Sequence, residues 1–384
     1  MNIAFDAKRA FHNTTGLGNY SRTLIKGLAT YYPEHQYFLM NPKPSKIFPK
    51  PAFKNVHEVL PPTFLTKTFS SAWRSNWVKK DLKKLNIDLY HGLSHEIPVG
   101  IEKSGIASVV TIHDLIFERY PEQFSKIDVQ IYRRKFRYAC KHANRIIAIS
   151  QQTKNDIIQL YGTDPTKIDI CYQSCDPAFG EALDISFKEM VRKKFKLPQQ
   201  FFLYVGSIIE RKNLLNISKA VHLMKDQIPV PLVVIGEGGS YKTIVKNYIK
   251  ENNLEGRILF LSEQQPFDKD IKTLAAIYQL SLAMIYPSFF EGFGIPVLEA
   301  LWSRVPVITS SVSCLPETGG DAALYVDPAS SEAIAQAMLQ VYTNEELRRE
   351  MIKKGWRYAQ NFSLENCTRN VMEVYKKLKN GNTI

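Results

Sequence analysis

The 384-residue chain has no apolar run approaching the ~20 residues that a bilayer-spanning helix requires. Its opening residues, MNIAFDAKRA, lack the long apolar core of a secretory leader and read as a first β-strand. Cysteine is scarce: Cys140, Cys171, Cys175, Cys314 and Cys367 are scattered, and Cys171 with Cys175 is too isolated to build a four-ligand metal set. Reduced thiols and a cytosolic location are therefore expected. Only one D-x-D triplet occurs, Asp268-Lys269-Asp270. It falls at the start of a helical pattern, where capping and the helix dipole account for it, so no metal and no other cofactor is expected. Low-complexity tracts and short repeats are missing. So are an aromatic RNA-binding signature and a helix-turn-helix pattern, which leaves a nucleic-acid-binding protein resting on charge alone.

Positive charge is abundant. Fifty Lys and Arg against 37 Asp and Glu give a net charge of +13, which calls for an anionic partner. WRSNWVKKDLKK sets Trp73 and Trp77 beside Arg74, Lys79, Lys80, Lys83 and Lys84, and YRRKFRYACKH forms a second cluster around Arg133–His142. Basic faces with aromatic edges suit an anionic membrane surface. They equally suit ordinary helices with buried tryptophans and solvated lysines. The length calls for two domains.

Short β-branched and aromatic runs alternate with helical patterns throughout, which predicts parallel sheets covered by helices. The first half offers NIAFDA, QYFLM, VHEVL, IDLYHG, SVVTIHD, RIIAIS and KIDICYQ, with helices such as Asn19–Thr30 and Gln151–Tyr161 between them. The second offers FFLYVGS, PLVVIGE, RILFLS, LAMIYPS, VPVITS and ALYVD, and only helical patterns follow Asp327. Asp176 to Gln200 reads as the connector. In such sheets ligands collect beyond the carboxyl ends of strands. His113-Asp114, Arg211-Lys212, Glu291 and the Lys8-Arg9 to TTGLGNY stretch all follow strands in this way.

Within SFFEGFGIPVLE, Glu291 and Glu299 are separated by seven residues around a glycine-proline turn between a strand and a helix. Pro296 suits the first helical position, and Gly292 and Gly294 allow a ligand close to the backbone. Glu299 is the only charge in IPVLEALW, so it is expected at a buried position needing polar partners, which a polyhydroxylated ligand would supply. Arg211 and Lys212 are adjacent cations at the start of a helix, with Asn213 as its N-cap. A diphosphate would neutralise them, and so would solvent. TGLGNY opens a helix and reads either as a turn or as a phosphate loop at Gly16 and Gly18. It does not complete the dinucleotide fingerprint. His113 ends an apolar run and reads as a sugar or proton-transfer contact, or as a satisfied structural histidine. His91 is a weaker candidate for the acceptor side.

Assembled in order, EGFGIPVLEA, PVITSSVSCLPETGGDAALYVDP, VGSIIERKN, VVIGEGG, TIHD and GLGNY resemble the retaining GT-B glycosyltransferases of family 4 over essentially the whole length. The resemblance implies an α/β fold of two Rossmann-like parallel-sheet domains facing across a cleft. Residues 1–178 would form the acceptor-side domain and 179–361 the nucleotide-sugar domain, and a C-terminal helix in 362–384 would cross back to the first. It implies that Arg211 and Lys212 neutralise the donor diphosphate in place of a metal. Glu299 would bind the ribose, and Glu291 and His113 the transferred sugar. The Phe293, Gly294 and Ile295 backbone would hold its hydroxyls or the phosphate, and Gly18 would touch the diphosphate. Ser262 and Glu263 would border the base.

The FDAKRAFHNTTGLGNYSRTL opening and the S-S-x-S-x-L-P-E stretch resemble bacterial mannosyltransferases of surface-polysaccharide assembly. That implies GDP-mannose as donor, with UDP-glucose or UDP-N-acetylhexosamine as competitors. The acceptor would be a glycan, growing on a lipid carrier at the inner face of the plasma membrane. Nothing in the sequence marks a covalent nucleophile, so front-side attack is expected. A nucleotide-sugar epimerase is the enzymatic rival.

Overall fold

The computed structural model describes residues 1–48, 53–264 and 270–379. The chain divides into two compact units, Met1–Ser174 with Ser363–Ile384, and Cys175–Phe362.

The first unit is built on β1 (Asn2–Asp6), β2 (Gln36–Met40), β3 (Val56–Val59), β4 (Leu89–Gly92), β5 (Ala107–Ile112), β6 (Arg145–Ala148) and β7 (Ile168–Ile170). They form one sheet, parallel throughout, in the order β3-β2-β1-β4-β5-β6-β7. Side chains alternate across it, as a strand's period of two requires. Ile3, Phe5 and Val109 enter a core with Leu24, Leu28, Met372 and Tyr375, whereas Ala4, Tyr90 and Val110 enter another with Trp73, Phe136 and Ile157. Both faces are thus covered, which is why these strands read as continuous apolar runs.

The second unit contains β8 (Phe202–Val205), β9 (Leu232–Ile235), β10 (Ile258–Phe260), β11 (Ala283–Tyr286), β12 (Val307–Ser310) and β13 (Ala323–Val326). Their order is β10-β9-β8-β11-β12-β13, again all parallel. Each sheet reverses its winding direction once, between β1 and β4 and between β8 and β11, and at such switch points the flanking loops diverge and leave a crevice.

The Leu364–Lys379 helix packs on the Gly16–Tyr31 helix of the first unit. Gly27 makes this possible, since a Cβ there would lie 2.3 Å from the Thr368 hydroxyl. The stretch read as a bare connector is not one. It carries the Ile185–Lys194 helix, which packs on the Ile271–Leu280 helix of the second unit. Of the D-x-D triplet, Asp268 and Lys269 lie outside the described residues, and Asp270 caps the Ile271–Leu280 helix by accepting the Thr273 N–H at 2.9 Å. Among the described residues no helix is long and apolar enough to cross a membrane.

Candidate functional site

The loops that leave β8 and β11 run side by side because the strands are neighbours. The Phe289 N–H and the Ser288 hydroxyl both donate to the Arg211 carbonyl, at 2.9 and 3.0 Å. This lacing brings Arg211 and Lys212 to Glu291. Arg211 lies 3.0 Å and Lys212 3.7 Å from the same carboxylate oxygen, Oε1. Tyr286 and Ser288 donate to that oxygen as well, each at 2.9 Å. Lys212 in turn donates to the Tyr286 hydroxyl at 2.7 Å and lies over its ring. Glu291 Oε2 receives no hydrogen bond from the described residues. Burial pushes the Glu291 carboxyl up, but Lys212, Arg211 and the Tyr286 and Ser288 hydroxyls outweigh it and hold the pKa below the ordinary value.

The Glu291 backbone is pinned by Ser313, which accepts its N–H at 3.2 Å and donates to its carbonyl at 2.9 Å. Cys314 Sγ donates to the same carbonyl at 3.1 Å. The chain then turns at Gly294, whose φ of +97 favours glycine. Gly292 has no such angle, so only one of the two predicted glycines is needed for conformation. The helix that follows is Ile295–Trp302, which puts Pro296 at its second position. Thr318 donates to the Phe293 carbonyl, using one of that oxygen's two acceptor positions. The Gly294 and Ile295 N–H groups stand at the helix start, outside its hydrogen-bond ladder.

Glu299 lies one turn into that helix and is partly exposed. Its buried partner comes from the protein, since the Tyr278 hydroxyl donates to Oε2 at 2.8 Å. Burial raises its pKa to about 7, against the pull of the Tyr278 hydrogen bond and of Lys212. Arg211 and Lys212 thus share the ionised Glu291 carboxylate, while Glu299, which titrates near neutrality, feels the charge of Lys212 and of Asp176.

Asn213 sits at the N-cap with φ +66, but its side chain does not cap the helix. Nδ2 donates instead to the carbonyls of Pro287 and Pro328, at 2.9 and 2.6 Å, tying the two loops together. Ser262 donates to the Gly236 carbonyl at 3.3 Å. Glu263 is exposed and paired to Lys242 and Lys246, at 2.8 Å each. Both sit beyond the carboxyl end of β10.

In the first unit, His113 is buried at the end of β5 and its Nε2 contacts the Leu93 carbonyl at 2.9 Å. That contact requires the proton on Nε2 and leaves Nδ1 an acceptor. Burial holds the pKa down at about 4, so the ring is neutral and offers an acceptor at Nδ1. Asp114 accepts the Ile116 N–H at 3.0 Å and so caps the following turn. His91 does not line a surface. It is wholly buried, with Nδ1 2.6 Å from the Tyr375 hydroxyl and Nε2 2.8 Å from that of Thr111. It ties the C-terminal helix to the sheet and, with no exposed surface, does not line the acceptor side as expected.

Gly18 is the third residue of the Gly16–Tyr31 helix, and a Cβ there would meet the Asn13 carbonyl oxygen at 1.9 Å. Asn13 Oδ1 accepts the Gly18 and Thr15 N–H groups, at 3.1 and 2.9 Å. The glycine therefore answers to packing as well as to any ligand. Sequence reading missed Tyr278, Tyr286 and Ser288, whose hydroxyls carry no pattern of their own. It also missed Asp6, buried at the end of β1 and paired at 2.6 Å to Arg74, which also bonds Glu96 at 3.0 Å. An acid directly ending an apolar first strand is the signal that would have found it.

Residues 14–179 match the model described as Glycosyltransferase Family 4, and residues 186–357 that of Glycosyl transferases group 1. O-antigen chain mannosyltransferase B of Escherichia coli is 29% identical over 307 residues, 79% of this chain and 77% of that protein. O-antigen chain mannosyltransferase RfbU of Salmonella typhimurium is 26% identical over 60% of each chain. Among solved structures, HepE of Anabaena in complex with UDP and glucose superposes with a TM-score of 0.72, at 17% identity, over 98% of this chain and 100% of that one.

Proposed function

Since the chain belongs to the GT-B glycosyltransferases of the group 1 and family 4 type, we propose that it transfers mannose, from GDP-mannose, with retention of configuration. The acceptor is a glycan built on a lipid carrier during bacterial surface-polysaccharide assembly. The protein works in the cytoplasm against the inner face of the plasma membrane. The mannosyltransferase relatives support the sugar. The observation that carries the site is the convergence of Arg211 and Lys212 on Glu291 beyond the carboxyl ends of β8 and β11.

In this reading the donor diphosphate lies against Arg211 and Lys212, and no metal is needed. As the bond from the anomeric carbon to the diphosphate oxygen breaks, negative charge grows on the phosphate and positive charge on the sugar. Cations already fixed by Glu291 stabilise the phosphate without reorganising, which lowers the barrier. Glu291 Oε2 takes a sugar hydroxyl, and Glu299 takes the ribose hydroxyls. Ser262 and Glu263 lie beside the base, the backbone of Gly294 and Ile295 beside the sugar or phosphate, and Gly18 beside the diphosphate. On the first unit His113 Nδ1 accepts a hydroxyl of the transferred sugar. The acceptor oxygen then bonds the anomeric carbon from the same face, and its proton passes to the departing phosphate.

The test is product analysis with GDP-mannose, UDP-glucose and UDP-N-acetylglucosamine on lipid-linked acceptors. A retained linkage formed from GDP-mannose is expected. An inverted product would contradict front-side attack. A changed sugar nucleotide without acceptor would favour an epimerase.

A further inference from the structure

The tryptophans of the basic clusters are not available to a membrane. Trp73 is wholly buried and donates to Asp81 at 2.7 Å, and Trp77 packs on the core. The exposed apolar surface lies just before them. Phe64, Leu65 and Phe69 are 86%, 57% and 55% exposed. They belong to the Phe64–Thr68 helix and its C-terminal cap, and at 100° per residue they fall on one face. This helix buries none of its residues. It is nonetheless well formed, because Thr63 and Thr66 cap it reciprocally. Single exposed apolar residues are ordinary, but three large ones together on a capped helix are not.

The surroundings are predominantly basic, even with Arg74 taken up by Asp6 and Glu96. Between Glu58 and Asp81 the sequence has Lys67, Arg74, Lys79 and Lys80 and no acid, and between Glu34 and Glu58 it has four lysines and no acid. Lys43, Lys46, Lys54, Lys67 and Lys80 are exposed, and Glu58 is held by Asn41 at 2.8 Å. The two segments emerge together, because Met40 pairs with Val59 and the Asn41 N–H donates to the Val59 carbonyl at 2.9 Å. Ile47 and Leu60, also exposed, extend the apolar area.

We propose that this edge of the first unit is a docking surface for an anionic lipid bilayer. The Phe64–Phe69 face enters the headgroup region, and the lysines engage the anionic headgroups. Apolar insertion and electrostatic attraction add in such binding, and each lysine near the surface contributes about fivefold in affinity. A protein partner would be expected to bring acids to match, whereas anionic lipid needs only this excess of positive charge. The surface lies at the carboxyl ends of β2 and β3, the side on which ligands collect in such sheets. If the proposed lipid-linked acceptor is right, docking here keeps the enzyme beside it, but the docking itself stands without that reading.

Sedimentation of the full chain with vesicles tests it. Binding is expected to vesicles of phosphatidylcholine mixed with phosphatidylglycerol, weakly or not at all to phosphatidylcholine alone, and to weaken in salt. The triple variant F64S/L65S/F69S should lose about tenfold or more in affinity with an unchanged melting temperature. K46Q/K67Q should weaken binding and its salt dependence while leaving any nucleotide-sugar affinity intact. Equal binding to neutral vesicles, or full binding by both variants, would overturn the proposal. So would a wild-type dimer that the triple variant dissolves without altering vesicle binding, since the face would then serve a second copy of the chain.

Discussion

Arg211 and Lys212 are adjacent in the chain, and a shared carboxylate lets both stay charged at one place. Removing one partner of a buried charge leaves that charge less well compensated. Arg211→Ala is therefore expected to destabilise the protein by about 2 kcal/mol, read by chemical denaturation, because buried Glu291 loses one charged partner while Lys212, Tyr286 and Ser288 still hold it. An equal loss in Arg211→Ala and Arg211→Ala/Glu291→Gln would contradict this coupling. Glu299 makes a prediction of another kind. With its pKa at about 7, it gains its charge as pH rises through neutrality, and only the ionised form is a pure acceptor for ribose hydroxyls. Donor affinity should rise between about pH 6 and 8 in the wild type and flatten in Glu299→Gln. A pH-independent wild type would count against the ribose assignment. The charged residues of this cluster were legible in the sequence because few other positions would tolerate them. The hydroxyls that complete it were not, since Tyr and Ser suit core and surface alike. His91 misled because a histidine ending a strand looks the same whether it meets a ligand or a tyrosine.

The strands were legible at the scale of elements because sheets covered on both faces leave unbroken apolar runs. The Ile185–Lys194 helix was not, since only Val191 of its residues is buried and its other positions are mostly polar. Glycines separate by their surroundings. Gly18→Ala should distort the helix start and lower the melting temperature, whereas Gly16→Ala, with nothing within 4 Å, should be neutral to within about 0.5 kcal/mol. Equal effects would remove the packing explanation for Gly18. The C-terminal helix gives a matching test. Tyr375→Phe leaves the buried His91 Nδ1 unsatisfied and should cost about 1–3 kcal/mol with kcat unchanged. A fall in kcat at constant stability would return His91 to the reaction.

Across the whole molecule the two units carry opposite acid responses. Burial holds His91 at about 3, His113 at about 4 and His95 well below the ordinary value. Between about pH 6.5 and 4 the unfolded chain binds protons that the folded first unit refuses, so that unit loses stability as pH falls. Glu299 in the second unit runs the other way: its folded form binds a proton at about pH 7, above the unfolded value, so stability there rises as pH falls from 7 towards 4.5. Hydrogen exchange at pH 5 should find the first unit opening more readily relative to the second than at pH 7, and a uniform response would contradict the assignment. Calorimetric titration with GDP-mannose shows whether the paired cations grip a sugar-nucleotide diphosphate. The wild type should bind it, and Lys212→Ala should weaken binding about tenfold or more while the protein remains folded. Unchanged affinity in that variant would contradict the claim.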